Sequence, residues 1–213
     1  EASGTAVVDA SGYNAPGTYN GTVTRGVASP VAGPAGKAVT FNGSNGFASS
    51  NASSANPKVY SVEAWFKTNT TRGGIIADFG SAKTGTSTSN NQDRQIAMLD
   101  NGKVAFGVRA SSVNQTATST ASYNDNAWHH AVATQAGDGM KLYVDGTLVA
   151  TNAATTALSI TGYWRVGGDR AWTGQTSGYF AGTIDEFAQY GYALSPDQVH
   201  AHWLASPVSP NVA

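Results

Sequence analysis

The chain has no cysteine, which removes disulfides, thiol nucleophiles and Cys-type zinc sites. A length of 213 residues can bury a sizeable core without such staples, so the absence leaves the compartment open. Charge is also scarce. Charged residues make up 12%, the net charge is −1 and the pI is near 6.5, a balance without the basic stripe that nucleic-acid binders carry. No apolar run approaches the roughly 20 residues that span a bilayer, which argues against membrane insertion. Glu1 is neither an initiator Met nor the start of a charged and apolar leader, so the chain is expected to be a processed or excised domain.

What is abundant is glycine, at 25 residues, with dense Ser, Thr, Asn and Ala. That composition describes many turns and neutral polar surfaces, as in an all-β protein, and suits neutral ligands better than ionic ones. One domain over residues 1–205 is the default at this length. The tail at 206–213, with Pro207 and Pro210, reads as a linker towards adjacent domains of a larger chain.

Residues 127–151, AWHHAVATQAGDGMKLYVDGTLVAT, predict a three-stranded antiparallel meander. Aromatic and β-branched residues fill 128–134, turn residues fill 136–139, and Leu142 and Val144 then share one face. Asp145-Gly146 is the pair that tolerates positive φ at both centres of a type I′ turn. Such a meander buries one face only under a second layer. The stretch SVEAWFKT supplies a strand for that layer, with Val62, Ala64 and Phe66 on one side and Glu63, Trp65 and Lys67 on the other.

Further strands are expected at 38–41, 47–48, 74–79, 95–99, 103–108, 163–166 and 179–190. Residues 1–34 show little periodicity, 81–93 read as an exposed, mobile polar loop, and 111–120 as a second polar loop. One helix is expected over 195–204. Ser195-Pro196-Asp197 gives an N-cap, a proline at N1 and an early acid, and Val199 and Trp203 lie on one face.

In order, SVEAWFKT, NAWHHAVAT, MKLYVDGTLVA, YWRVGGD, FAGTIDEF and ALSPDQV resemble the laminin-G-like domains of the concanavalin A-like lectin/glucanase superfamily, over residues 5–205. The resemblance implies a jelly-roll β-sandwich of two curved antiparallel sheets with one short C-terminal helix. It also implies a secreted or cell-surface module appended to a microbial enzyme or adhesin. Fold alone does not decide between glycan binding, protein binding and catalysis, which must be argued from sites.

For catalysis the residues offer little. Asp185 and Glu186 are adjacent on a strand and would face opposite ways, whereas a retaining glycosidase needs two carboxyls roughly 5 to 5.5 Å apart. The spaced-acid strand of related glucanases and the Gln-x-His and Tyr-rich strands of sandwich-fold lyases are missing. His129 and His130 beside Trp128 read as packed or hydrogen-bonded. The expectation is therefore a non-catalytic carbohydrate-binding module whose partner is a polysaccharide or glycoconjugate. An adhesion module with a protein receptor comes second, and a polysaccharide hydrolase or lyase third.

The richest ligand site is the loop 167–178, GGDRAWTGQTSG, where Asp169, Arg170 and Trp172 join a flat aromatic face to hydrogen-bonding groups. Asp78, Arg94, Tyr123 and Trp164 are its companions. The structural alternatives are Trp172 folded back on the sheet, contributing about 1.5 to 3 kcal/mol, and a surface Asp169–Arg170 ion pair worth roughly 0 to 1 kcal/mol. At the N-terminus, Asp9-Ala10-Ser11-Gly12-Tyr13-Asn14 reads either as an Asx turn or as an oxygen cluster suited to calcium. The resemblance implies that Asp9 and Asn14 could share a structural Ca2+ with Asp185 or Glu186.

Overall fold

The computed structural model describes residues 3–31, 36–83 and 85–206. Of the linker expected at 206–213, Ser206 is described and is buried, its hydroxyl donating to the Pro30 carbonyl, and the rest lies outside the described residues. The first strands are β1 (Ala6–Val7), β2 (Gly17–Asn20), β3 (Val23–Ala28), β4 (Lys37–Asn42), β5 (Phe47–Ser50), β6 (Ser54–Ala55), β7 (Tyr60–Lys67) and β8 (Gly74–Gly80). There follow β9 (Gln92–Met98), β10 (Lys103–Ala110), β11 (Val113–Ser122), β12 (Trp128–Ala136), β13 (Gly139–Val144), β14 (Thr147–Asn152), β15 (Thr161–Val166), β16 (Ala181–Tyr190) and helix α1 (Pro196–Leu204).

These strands form two antiparallel sheets in a jelly-roll sandwich. The larger has the order β1-β2-β5-β15-β8-β9-β10-β11, with β6 also paired to β15, and the smaller runs β14-β13-β12-β7-β16-β4-β3. The meander is the β12–β13–β14 edge of the smaller sheet. Its second turn has Asp145 and Gly146 at φ 52° and 73°, the two positive values that a type I′ turn requires. Gly146 is needed for space as well, because a Cβ there would lie 2.9 Å from Trp203 Cε3 on the helix.

Alternation decides which side chains meet. Val62, Ala64 and Phe66 of β7 lie on the same face as Ala131, Ala133, Leu142 and Val144 of the neighbouring strands, and together they pack in one core with Ile96, Met98, Val104, Phe106 and Val108 of the larger sheet. On the other face of the smaller sheet, Val132 and Tyr143 are covered by Leu194 and Val199. Ser195 caps α1 as expected, and Gln198 Oε1 accepts in return from the Ser195 N–H, completing a capping box. Glu63 is enclosed beside the helix. It accepts from the Tyr190 hydroxyl at 2.6 Å and lies 3.0 Å from His202 Nδ1 and 3.3 Å from His130 Nε2.

Four expectations are corrected. The SVEAWFKT strand, expected in the layer that covers the meander, is β7 of the meander's own sheet, paired with β12, and the cover comes from the larger sheet. Residues 1–34, expected to show little periodicity, supply β1, β2 and β3; β1 has only two residues, and β3, with no fully buried side chain, has a register shift between Thr24 and Val27. Residues 111–120 are not a loop: β11 is the edge strand of the larger sheet, with Ala117 and Ser119 buried and most of the rest polar and exposed. The strict alternation expected at Asp185-Glu186 is broken by a β-bulge between Asp185 and Ala188, with Glu186 at φ 46°.

Candidate functional site

The outer face of β9–β10–β11 is built from small or neutral residues. Ala97 pairs with Ala105, and Gly107 lies between Gln95 and Thr116, while the intervening Ile96, Phe106 and Ala117 point into the core. The loop between β15 and β16 folds over this face. Its Trp172 lodges against Gly107, where an added Cβ would stand only 2.6 Å from Cζ3 of the indole. A glycine inside a strand often marks such a close approach.

Hydrogen bonds fix the loop at several points. Trp172 N donates to Gln175 Oε1 at 2.8 Å, and Gln175 Nε2 to the Met98 carbonyl at 3.2 Å. The Asp100 carboxylate accepts from Thr176 N and Oγ1, both at 2.8 Å. Gln92 grips the backbone of Arg170 in both senses, accepting from its N–H at 3.1 Å and donating to its carbonyl at 2.5 Å.

Trp172 thereby stands between two clefts. One, of about 160 Å³, is walled by Ala97, Leu99, Ala105, Gly107 and Thr118, with Gln95 on its wall. Gln95 is 1% exposed and neither polar atom of its carboxamide has a hydrogen-bond partner in the protein. A buried amide so placed is costly unless something bonds it. The other cleft, of about 250 Å³, is polar and lined by Gln92, Arg109, Asn114 and Arg170 beside the same Trp172.

Asp169 is 1% exposed and lies behind this face. The ion pair it makes is with Arg165, at 2.9 Å, and not with Arg170. It also accepts from Ser89 N and Oγ, each at 2.6 Å. Arg165 donates onward to the carbonyls of Gly168, Ala82, Thr86 and Ser87 and packs over Phe47 at 4.2 Å. The loop expected to be mobile is thus exposed along most of its length but tied at Ser89 and Ala82, and Asn90 at its end joins the polar cleft. One buried ion pair holds both rims.

The other sequence-predicted residues fall elsewhere. Asp78 lies opposite Arg165 and is 0% exposed; burial, and then the neighbouring Asp169 charge, push its pKa well up. Trp164 is a core residue against Tyr60 and Phe79. Arg94 is buried too, donating to the carbonyls of Pro57 and Leu158 and to Asn56 Oδ1. Tyr123 sits edge-on to His129 at 5.0 Å. Of the seven, Arg170 and Trp172 line the clefts. Gln92, Gln95, Gly107, Arg109 and Asn114 were not picked out by their types; Gly107 inside an alternating strand was the readable signal.

His129 is held between carboxylates, with Nδ1 2.8 Å from Asp145 and Nε2 3.1 Å from Asp125. Burial works against its charge, but the Asp145 and then the Asp125 interactions outweigh burial and raise its pKa. A raised folded pKa means stabilisation that is complete below the unfolded value of about 6.5 and lost as pH rises through the folded value. His129→Gln should therefore lower the melting midpoint most near pH 6, with the gap to wild type narrowing above about pH 6.5. A gap that stays constant as pH rises would contradict this.

At the N-terminus the Asx turn is present. Asp9 accepts from Ser11 N at 2.9 Å, Ser11 Oγ at 2.6 Å and Ala15 N at 2.8 Å, with Asn14 at φ 54°. These bonds, that of Ala15 first, lower the Asp9 pKa. Asp185 Oδ1 accepts from Glu186 N at 3.0 Å within the bulge of the smaller sheet. Among the described residues no three acidic or histidine side chains gather as a cation would need. Asp9 and Asn14 thus lie on the turn between β1 and β2 of the larger sheet, and Asp185 and Glu186 in the bulge of β16 in the smaller one.

Two antiparallel sheets in a jelly-roll sandwich, with clefts on one outer face, define a concanavalin A-like domain. The chain belongs to the Laminin_G_3 family of the Concanavalin A-like lectin/glucanases superfamily, whose model matches residues 41–200. No curated protein sequence matches it. Among solved structures it is similar to domain 4 of AbnA, a GH43 extracellular arabinanase from Geobacillus stearothermophilus in complex with arabinotriose, at 20% identity and TM-score 0.63, covering 90% of each chain. It is also similar to the botulinum neurotoxin serotype G binding domain, at 12% identity and TM-score 0.67, over 92% of this chain and 48% of that one. A heptameric SAP-like pentraxin from Limulus polyphemus shares 16% identity over 70% of each chain, at TM-score 0.51. No helix among the described residues is long and apolar enough to cross a membrane.

Proposed function

We propose that this domain is a non-catalytic, extracellular glycan-binding module, holding a polysaccharide or glycoconjugate against Trp172 on the outer face of the larger sheet. The observation that carries the reading is the half-buried indole beside the unpartnered Gln95 carboxamide. An aromatic face packs on the apolar CH side of a sugar, and the amide can bond its hydroxyls. The arabinotriose complex of the similar arabinanase domain supports the same ligand class.

The carboxyls argue against hydrolysis at this place. Neither cleft has a carboxylate among its lining residues, and the adjacent Asp78 and Asp169 are sealed at 0% and 1% exposure. A glycosidase needs two carboxyls flanking the scissile bond. Attached to a catalytic or surface-bound partner, even micromolar to millimolar affinity would be useful, because tethering raises the effective concentration of the second contact.

Affinity gels containing a panel of polysaccharides test the proposal. Wild type should be retarded on at least one, and Trp172→Ala should migrate as on a sugar-free gel, with Arg170→Ala intermediate. Capture of a protein partner unaffected by free sugar, with no retardation on any gel, would replace the glycan reading by the protein-receptor one.

A further inference from the structure

We infer that the polar half of this site takes an acidic sugar, one bearing a carboxylate. The inference rests on the glycan-binding reading and deepens it. The cleft of about 250 Å³ contains two guanidinium groups, those of Arg109 and Arg170, and no carboxylate among its lining residues. Both arginines are exposed, and among the described residues neither forms an ion pair. In a chain whose net charge is −1, that is a local excess of positive charge and not a general property of the surface.

The nearby acids are already engaged elsewhere. Asp93 is 0% exposed and accepts from Arg94 N at 2.7 Å, Arg109 N at 3.0 Å and Leu158 N, with the Arg94 guanidinium at 3.7 Å. Asp169 is taken up by Arg165 and Ser89. Arg170 is meanwhile pre-positioned, since its guanidinium donates to the Ser89 carbonyl and its backbone is held by Gln92. Guanidinium forks match carboxylates in geometry and charge, and the flanking amides of Gln92 and Asn114 suit ring hydroxyls. This revises the expectation that the neutral surface favours neutral ligands: the neutral half is the Ala97–Ala105 cleft, and its neighbour is cationic.

Sugar carboxylates come from uronic acids inside polysaccharides and from sialic acids at glycan ends, so both are used as probes. Calorimetric titration would compare a galacturonic acid oligomer with its methyl ester, an arabinose oligomer of equal length, and sialyllactose with lactose. At least one acid is expected to bind about tenfold tighter than its uncharged counterpart, as hydrogen bonds to charged groups allow. That advantage should shrink as salt rises from about 0.05 M to 0.5 M. Arg109→Gln and Arg170→Gln should each reduce it, weakening the acid severalfold more than the neutral oligomer. The acid that shows the advantage names the source. Equal affinity for acid and neutral forms, or equal losses for both in the arginine variants, would overturn this inference while leaving glycan binding intact. Binding of none of these sugars would take down both.

Discussion

Arg165→Met should lower the unfolding free energy by about 3–5 kcal/mol, the usual effect of removing one member of a buried ion pair. Arg165 is 0% exposed, and its replacement leaves the Asp169 carboxylate without its counter-charge beside the equally buried Asp78. The carbonyls of Ala82, Thr86 and Ser87 lose their donor as well. The ties of both cleft rims go with it, so cleavage by a nonspecific protease should shift towards residues 81–91. Replacing both partners, as Arg165→Met with Asp169→Leu, should recover part of the loss, since no unpaired charge is then buried. Chemical denaturation of the three variants and wild type measures this. A loss below about 1 kcal/mol for the single change would put this pair in the class of a surface bridge.

Gly107→Val should abolish most binding while leaving the fold intact. The new Cβ would stand 2.6 Å from Trp172 Cζ3 and 3.1 Å from Cε3. The indole is the end of a side chain and can give way, so the change displaces the aromatic anchor and not the sheet. Losing a central aromatic contact costs about 2 kcal/mol or more at typical interfaces, so binding should weaken by a factor of roughly thirty. Trp172→Ala should give a loss of the same order, and the two together no more than either, because they act on one contact. Full binding by Gly107→Val would mean that the seat of the indole is irrelevant to recognition.

The sandwich was readable because its central strands alternate and its turns carry their own chemistry. SVEAWFKT and the Asp145-Gly146 hairpin dictate face and register locally. The β11 segment VNQTATSTAS was not readable, since an edge strand with two buried side chains looks like any polar loop. The site residues on it were missed with it.

The loop 167–178 was readable as the place of interest, since glycine, charge and an aromatic concentrate there. The roles within it were not. Asp169 and Arg170 are neighbours in sequence, but the turn sends the first inward to Arg165 and the second outward to the cleft. Nothing in local spacing distinguishes a charge that will be buried by residues 81–91 from one that will meet solvent. Asp78 and Arg94 were misplaced for the same reason: their partners come from distant segments. Gln95 carries no signal at all in sequence; only the structure shows it unpartnered in the cleft that Trp172 also lines.

The most direct test of a glycan site at Trp172 is a titration of the isotopically labelled domain with oligosaccharides, followed by amide and indole N–H resonances. A glycan held there should concentrate the shifts on the Trp172 indole, Gly107, Thr116, the Gln95 side-chain amide and the backbone of 170–175. Shifts confined to the outer face of the smaller sheet, around Tyr190 and α1, would contradict it.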